Sequence, residues 1–320
     1  MNKIIQWIVG IVLVVAIVLA ITYGRTSNDG IIKVGWISDL SGSQAKYGSY
    51  EAGKLAMDEI NEAGGINGKQ LKIIFEDGRC SGKDAINAIN KLISVDKVKV
   101  VLGGHCTPES AAIAPVAEKN KVVMLASITT SPVLSNAGKY VFRTSPVSVV
   151  QSELIADLAY NKLSLKNFAI VYELTDYARP IAESFKNNFE KHGGRVSMFE
   201  GYNPGTSDFR TILTKAKGNR VDGIFMAPQS PDAALYLMQQ IHDLGISAKL
   251  FGNDVAGNQA AIAKAPELYE GFILALPNFD EVNNPKTKQF ANAYRNAYKT
   301  DVIPYGIWTA ESYDAVYIMA

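Results

Sequence analysis

The stretch Val98-Lys-Val-Val-Leu-Gly-Gly-His-Cys-Thr-Pro-Glu-Ser110 decides the fold of this chain. Val98–Leu102 is a short, β-branched run of the kind found in strands buried on both faces. Gly103-Gly104 ends the strand, and Pro108 suits the first turn of a helix because its missing N–H needs no partner there. A strand, a glycine turn and a helix N-terminus in this order leave backbone N–H groups and the Thr107 hydroxyl facing a crevice. Such a crevice suits an anion, for example a carboxylate.

The rest of the chain repeats this alternation of strand and helix patterns. A first series extends from Ile31 to Ser127, and a second extends from Val149 to Ala275. Two helical patterns follow, at Pro285–Lys299 and Ile307–Ala320. Strands that alternate with helices of this length predict βαβ units and doubly wound parallel sheets. The break near Tyr140–Pro146 is interpreted as a crossing between two lobes.

The predicted fold is therefore α/β, with two doubly wound parallel-sheet lobes joined by a hinge. We expect residues 30–144 and 276–320 to form the first lobe and residues 145–275 to form the second. The last helical pattern reaches Ala320 without a cap or a stop signal. We therefore expect the first lobe to continue beyond this residue.

Residues 1–29 precede the predicted lobes and have a different character. Ile4–Thr22 is almost continuously apolar and follows a single Lys3. It is long for a signal-peptide core and near the roughly 20 residues that span a bilayer. The segment is interpreted as a hydrophobic helix that is either a cleaved signal peptide or an uncleaved membrane anchor, followed by a linker. Both alternatives place the chain from about Gly30 onward outside the cytoplasm.

The chain contains two cysteines, Cys80 and Cys106, each in a turn that follows a predicted strand. In an exported chain they favour a disulfide over the alternative of two buried thiols. The bond requires Cα atoms within about 7 Å of each other. The two turns can approach this closely if their strands are neighbours in a parallel sheet. We expect the bridge to join two loops that face a ligand.

Charge and motifs exclude several classes of protein. The net charge is +1 and the basic residues are scattered, so we expect no nucleic-acid partner. The first strand is not followed by G-x-G-x-x-G, and the chain lacks a Walker motif and a G-x-S-x-G elbow. The three histidines, His105, His192 and His242, are too dispersed for a metal site. We expect a protein that is not an enzyme and has no cofactor and no metal.

Polar side chains concentrate in the turns after the predicted strands, where open parallel sheets bind their ligands. The turns of the two series are Ser38–Gly42, Gly103–Thr107 and Ser127–Thr130, then Glu173–Tyr177, Gln229-Ser230 and Asn253-Asp254. The first series offers hydroxyls and helix N-termini, which complement a carboxylate. The second offers Asp254 and Tyr177, which complement an ammonium. This polarity fits a zwitterion, although any one of these side chains could simply be a helix N-cap.

Several segments resemble the first lobe of the type I periplasmic binding proteins. They are Val34-Gly-Trp-Ile-Ser-Asp-Leu-Ser-Gly42, Tyr47-Gly48 and Gly53-Lys-Leu-Ala-Met-Asp-Glu-Ile-Asn-Glu-Ala-Gly-Gly-Ile-Asn-Gly68. Asp176-Tyr177 and Gly201-Tyr-Asn-Pro-Gly-Thr-Ser-Asp-Phe209 resemble the second lobe. Within that family the sequence is most similar to the leucine/isoleucine/valine-binding receptors of ABC importers. The resemblance extends from about Ile32 to Tyr317.

The resemblance implies roles for individual residues. The contacts to the ligand's α-carboxylate fall on Thr107, on the backbone of Ile128 and on Thr130. Tyr177 occupies the position of a lid tyrosine, and Asp254 occupies the position of the acid that binds the α-ammonium.

Further positions concern the disulfide and the pocket for the ligand's side chain. The family's disulfide matches Cys80 and Cys106, and Tyr47 would line the side-chain pocket. Two positions depart from the branched-chain receptors. Asp254 stands where they more often carry Glu, which shortens the reach by one methylene. Gln229 stands where they often place an aromatic residue, which makes the pocket more polar.

The resemblance also implies partners and a mechanism. We expect a monomer that closes around an amino acid and is then recognised by ABC permease subunits, with the membrane as a further partner if the N-terminal helix is uncleaved. Three alternatives stay open. They are the ligand-binding ectodomain of a membrane sensor, a receptor for amide, urea-type or aromatic acid ligands, and a cofactor-dependent α/β enzyme.

Overall fold

The computed structural model describes residues 30–320 except Ser43 and Lys46. It contains two five-stranded sheets in which every strand pair is parallel, with helices packed on the sheet faces. This architecture confirms the predicted α/β fold. The predicted signal peptide or anchor falls on residues 1–29, outside the described residues. None of the helices in the described part combines the length and apolar character that a membrane span requires.

The first sheet has the strand order β2-β1-β3-β4-β5. Its strands are β1 (Ile31–Ser38), β2 (Gln70–Asp77), β3 (Val100–Leu102), β4 (Val123–Ala126) and β5 (Val141–Arg143). The sequence pattern does not predict β5, which begins inside the segment interpreted as a crossing. The reason is that β5 is a three-residue edge strand whose central residue, Phe142, is exposed. Such a strand lacks the continuous apolar run that identifies a buried one.

Three helices pack on this sheet: α1 (Ser49–Glu62), α2 (Gly82–Ser94) and α3 (Thr107–Asn120). Leu55, Ala56 and Ile60 of α1 are all buried, so this helix packs its apolar face inward. On the opposite face, α2 and α3 bury Ile89 and Ile113 in a common cluster. The sheet is thus covered on both sides, as the β-branched strands require.

The second sheet has the order β10-β9-β8-β6-β7. Its strands are β6 (Asn167–Glu173), β7 (Arg195–Tyr202), β8 (Gly223–Ala227), β9 (Lys249–Gly252) and β10 (Ile273–Leu274). Its helices are α4 (Ser148–Asp157), α5 (Ala178–Lys191), α6 (Arg210–Gly218), α7 (Pro231–Asp243) and α8 (Gln259–Lys264). After Asp157 the chain continues as a π-helical turn through Lys162, so the helical segment that begins with α4 is irregular in its last part. Both sheets have the same topology, because in each the first strand along the chain lies between the second and the third.

After β10 the chain returns to the first sheet. It forms α9 (Pro285–Tyr298) and α10 (Ile307–Met319), as the sequence predicts. Val316 of α10 packs in one cluster with Trp36 of β1, and Phe290 of α9 packs with Leu55 of α1. The first sheet therefore depends on residues from both ends of the described chain.

Cys80 and Cys106 form a disulfide with a Cα–Cα distance of 5.1 Å, which confirms the predicted pairing. Their strands are not neighbours, however, because β1 lies between β2 and β3. The expectation that the two turns meet because their strands are neighbours is therefore wrong. The two turns converge beyond the end of β1, where the carboxylate of Glu109 accepts hydrogen bonds from the N–H groups of both cysteines.

Replacing both cysteines by serine should lower the free energy of unfolding by about 3 kcal/mol. The bridge closes a sequence separation of 26 residues, and its loss restores that conformational freedom to the unfolded chain. Urea unfolding measures the change, and the reduced wild-type protein is the control that should behave like the double variant. Equal stability of the oxidised and reduced proteins would contradict this expectation.

Candidate ligand-binding site

A cavity lies between the carboxyl edges of the two sheets and has about 410 Å³ of space not occupied by protein atoms, part of it open to solvent. The lining residues are Gln44, Tyr47, His105, Cys106, Thr107, Ile128, Thr129, Thr130, Tyr177, Gln229, Asp254, Val255 and Trp308. All seven residues that the sequence assigns to ligand binding therefore line one cavity. His105 and Thr129 lie in turns that the sequence identifies as ligand-facing but have no individual role there, and the sequence gives no ligand role to Gln44, Val255 or Trp308.

The first sheet contributes a helix N-terminus and two hydroxyls to the cavity. Thr107 is the first residue of α3, where unpaired N–H groups and the helix dipole favour a negative charge. Thr130 follows β4 on the neighbouring turn. Both side chains are buried, and neither hydroxyl hydrogen-bonds to another described residue. This wall of the cavity can therefore donate hydrogen bonds to an anionic group.

Glycine and threonine together shape the turn before α3. Gly103 has φ +114°, and a Cβ there would lie 2.1 Å from the carbonyl oxygen of Ile37, so only glycine fits. The Thr129 hydroxyl donates to the carbonyl of Gly104 at 2.8 Å and lies 2.7 Å from Ser110 Oγ. The turns after β3 and β4, which carry the two cavity hydroxyls, are therefore held together.

Glu109 holds the same turn from its buried side. Its carboxylate accepts the N–H groups of His105 at 2.7 Å, Cys106 at 2.9 Å and Cys80 at 3.1 Å. The side chain is fully buried, and this burial raises its pKa to about 7, against the lowering effect of the three donors. Glu109 does not line the cavity, so its effect on a ligand is through the position of Thr107.

The second sheet contributes an acid at the opposite side of the cavity. Asp254 follows β9, and its carboxylate accepts a hydrogen bond from the Tyr177 hydroxyl. The turn is fixed by the buried Asn253, whose amide donates to the carbonyl of Pro228 at 2.8 Å and accepts from the N–H of Ala256 at 2.9 Å. Burial raises the pKa of Asp254 above its ordinary value of 3.8. A cation bound here would restore the ionised form.

Aromatic side chains close the side of the cavity near α10. Tyr47 stacks on Tyr305 with ring centroids 3.7 Å apart, and His105 meets the edge of Tyr47 at 5.2 Å. The carbonyl of Tyr47 accepts a hydrogen bond of 2.9 Å from Thr309, which follows Trp308 in α10. Burial lowers the pKa of His105 to about 3, so the imidazole is neutral. The cavity therefore combines apolar rings with uncharged polar groups on this side.

Contacts between the two sets of turns bridge the cavity. The Gln44 amide donates to the carbonyl of Gln229 at 3.4 Å, and the Ser131 hydroxyl donates to the carbonyl of Asp176 at 3.0 Å. The N–H of Tyr305 donates to Gln259 in α8 at 3.1 Å. The structure therefore has its two halves in contact around the cavity, in a closed arrangement.

One cluster of potential metal ligands occurs among the described residues, consisting of Asp39, Cys80 and Cys106. Two of its three donors are sulfur atoms that are joined in the disulfide. A cysteine binds a metal as the thiolate, which a disulfide sulfur is not. This cluster is therefore not a metal site.

The chain belongs to the periplasmic binding protein family, whose sequence profile matches residues 31–320. A relative from Pseudomonas aeruginosa is 31% identical over 292 residues, covering 90% of this chain and 77% of its own length. Its name is leucine-, isoleucine-, valine-, threonine- and alanine-binding protein. The Leu/Ile/Val-binding protein of Escherichia coli K12 is 27% identical over 295 residues, covering 91% of this chain and 79% of its own length.

Solved structures show the same fold. The leucine-binding protein LivK from Thermotoga maritima has a TM-score of 0.81 at 25% identity, covering 90% of this chain and 81% of its own. The branched-chain amino acid binding protein LivJ from Streptococcus pneumoniae, solved with isoleucine, has a TM-score of 0.77 at 28% identity, with 90% and 82% covered. A Rhodopseudomonas palustris protein solved with 3,4-dihydroxybenzoic acid has a TM-score of 0.78 at 22% identity, with 91% and 80% covered.

Replacing Glu109 by glutamine should flatten the pH dependence of stability. A folded pKa of about 7 against 4.5 in the unfolded chain means that the folded state holds the proton more tightly. The stabilisation, on the order of 3 kcal/mol, is complete below pH 4.5 and is lost as the pH rises through about 7. Unfolding free energies measured across this range should fall less steeply in Glu109→Gln than in the wild type.

Glu311 provides the matched comparison for this measurement. It is largely buried, and burial also raises its pKa to about 7. The contribution of Glu311 to the pH dependence of the unfolding free energy should therefore persist in Glu109→Gln and disappear in Glu311→Gln. Identical slopes in the wild type and Glu109→Gln would contradict the assigned role of Glu109.

Proposed function

We propose that this protein is an extracytoplasmic solute-binding protein of an ABC importer and that it binds an amino acid between its two lobes. The proposal rests on one observation: the two sides of a single cavity favour opposite charges. Thr107 and Thr130 accompany a helix N-terminus on one side, and Asp254 lies on the other. A ligand with a carboxylate and an ammonium matches both sides. The names of the relatives support the same ligand class.

Each ligand group has a partner in the proposed complex. The α-carboxylate accepts hydrogen bonds from the hydroxyls of Thr107 and Thr130 and from the backbone of Ile128. The α-ammonium pairs with the carboxylate of Asp254, which Tyr177 orients through its hydrogen bond. Tyr47 and Gln229 face the ligand's side chain. Because these groups come from both halves of the cavity, the complete set exists only in the closed arrangement.

An aromatic acid is a poorer match to this cavity, although a structural neighbour was solved with one. A benzoate-type ligand carries no ammonium group. It would place a second negative charge in a cavity that already contains Asp254, and the buried Asp254 would gain no partner. An amino acid satisfies the acid directly.

The chain divides into two lobes that close around the ligand. The first lobe comprises residues 30–144 and 276–320 and the second residues 145–275, supported by the packing of α9 and α10 on α1. Ligand contacts that require both lobes shift the population towards the closed form. The closed monomer is then the form that permease subunits recognise outside the cytoplasm, and residues 1–29 act as a signal peptide or anchor.

Replacing Asp254 by asparagine should weaken amino acid binding at least about 30-fold. The substitution removes the charge that pairs with the ammonium and keeps the size of the side chain. Isothermal titration calorimetry against the amino acids measures the change in dissociation constant. Asp58→Asn, on the exposed face of α1, is the matched control and should bind like the wild type. Unchanged affinity in Asp254→Asn would refute the assigned role.

The affinity should also fall as the solution becomes more acidic. Burial raises the pKa of Asp254, and protonation of this carboxyl removes its attraction for the ammonium. The affinity should therefore be constant well above the raised pKa and decrease as the pH falls through it. Titrations between about pH 4 and pH 8 test this, because the amino acid itself stays zwitterionic there. Asp254→Asn should lose the dependence, and a slope as steep as in the wild type would exclude Asp254 as its origin.

A further inference from the structure

Three polar atoms around the cavity have no hydrogen-bond partner and are not used by the ligand's α-groups. The first is Gln229 Oε1, which is buried and unpartnered. The second is His105 Nε2, which is also buried and unpartnered, while the Nδ1 of the same ring lies 3.2 Å from Ser38 Oγ. Both residues line the cavity.

The third atom is Gln44 Oε1. Its orientation is set by the amide nitrogen, which donates to the carbonyl of Gln229 at 3.4 Å. The oxygen lies 3.5 Å from Cys106 Sγ, but that sulfur is in the disulfide and carries no hydrogen to donate. Gln44 Oε1 therefore remains an acceptor without a donor.

Hydrogen bonds fix the backbones that carry these groups at the cavity. The N–H of Gln229 donates to the buried carboxylate of Glu173 at 2.8 Å, and the N–H of Gln44 donates to the buried carboxylate of Asp39 at 2.7 Å. His105 is 5% exposed and is held through Ser38 and through its N–H to Glu109. Polar groups buried in this way destabilise a complex unless the ligand supplies their partners.

The charges around the cavity restrict what that partner can be. Among the lining residues that the structure describes, none is Lys or Arg, and Asp254 is the only acid. Burial keeps the imidazole of His105 neutral. A charged ligand side chain would therefore have no counter-ion, whereas an uncharged polar one can be satisfied.

We propose that the ligand is an amino acid with an uncharged, hydrogen-bonding side chain, read by Gln44, His105 and Gln229. This inference rests on the amino-acid function proposed above and narrows its substrate class. A carboxamide matches all three atoms: its NH₂ group donates to the two glutamine oxygens, and its carbonyl accepts from the N–H of a neutral imidazole. A hydroxyl matches part of the set. An aliphatic side chain leaves all three atoms unsatisfied.

Shape-matched ligand pairs test this without any mutation. Asparagine and leucine have nearly the same shape, as do threonine and valine, so each pair differs mainly in hydrogen bonding. Calorimetric titration of the wild-type protein should show asparagine binding at least about 10-fold more tightly than leucine, and threonine more tightly than valine. Leucine and valine binding as tightly as their polar counterparts, or more tightly, would overturn the inference and leave the amino-acid function intact. If neither these four nor any other amino acid binds, both this inference and the amino-acid function are overturned.

A substitution in the cavity tests whether Gln229 causes the preference for asparagine over leucine. Gln229→Met keeps the length of the side chain and removes its acceptor, so the ratio of leucine to asparagine dissociation constants should shrink by about 10-fold. Gln239→Met, on the exposed face of α7, is the matched control and should leave the ratio unchanged. If Gln229→Met does not fold, Gln44→Met serves in its place, and the wild-type pairs decide the outcome in any case. An unchanged ratio in a folded Gln229→Met variant would exclude Gln229 as a selectivity residue.

Discussion

The site depends on the buried carboxylate of Glu109, which binds three backbone N–H groups from two separate turns. Parallel strands place these turns at one edge of the sheet, but β1 separates their strands and leaves a gap between them. One acceptor shared by both turns closes that gap and brings Cys80 within bonding distance of Cys106. The N-terminus of α3 is thereby held at the cavity, with Thr107 as its first residue.

The two sheets have the same strand order, and each brings the turns beside its own switch point to the cavity. In an open parallel sheet the connections diverge there, which leaves room for a ligand. Thr107 and Thr130 follow β3 and β4 in the first sheet, while Gln229 and Asp254 follow β8 and β9 in the second. The equivalent positions carry different chemistry. A repeated topology therefore provides two similar frames, and the side chains provide opposite polarity.

Closure of such a cavity balances two effects. Burial disfavours the ionised form of Asp254, so the closed protein alone retains a poorly solvated acid. In the proposed complex an ammonium group would compensate it, and the helix N-terminus would compensate the carboxylate on the other side. Contacts such as Gln44 with Gln229 and Tyr305 with Gln259 stabilise the closed state without any ligand. Under the proposed function, a ligand would therefore shift an equilibrium towards an arrangement that the protein reaches through these contacts.

Local sequence patterns were sufficient for most of the strands and helices, since buried parallel strands and amphipathic helices each have a period that the residues display. They also identified the polar turns, because a strand followed by Gly, Ser, Thr or Asp and then a helix is a local feature. β5 was missed because one buried residue, Val141, is too short a signal.

The sequence alone determined the fold class, the cysteine pair and the turns that carry Thr107, Thr130 and Asp254. Only the tertiary structure showed that β1 lies between the two disulfide-linked turns and that Glu109 joins them. It likewise brought Gln44 and Trp308 to the cavity. These residues are far apart in the chain and carry no spacing that marks them. The physical reason is that hydrophobic periodicity encodes which face of an element is buried, whereas hydrogen-bond partners are chosen by contacts between distant turns.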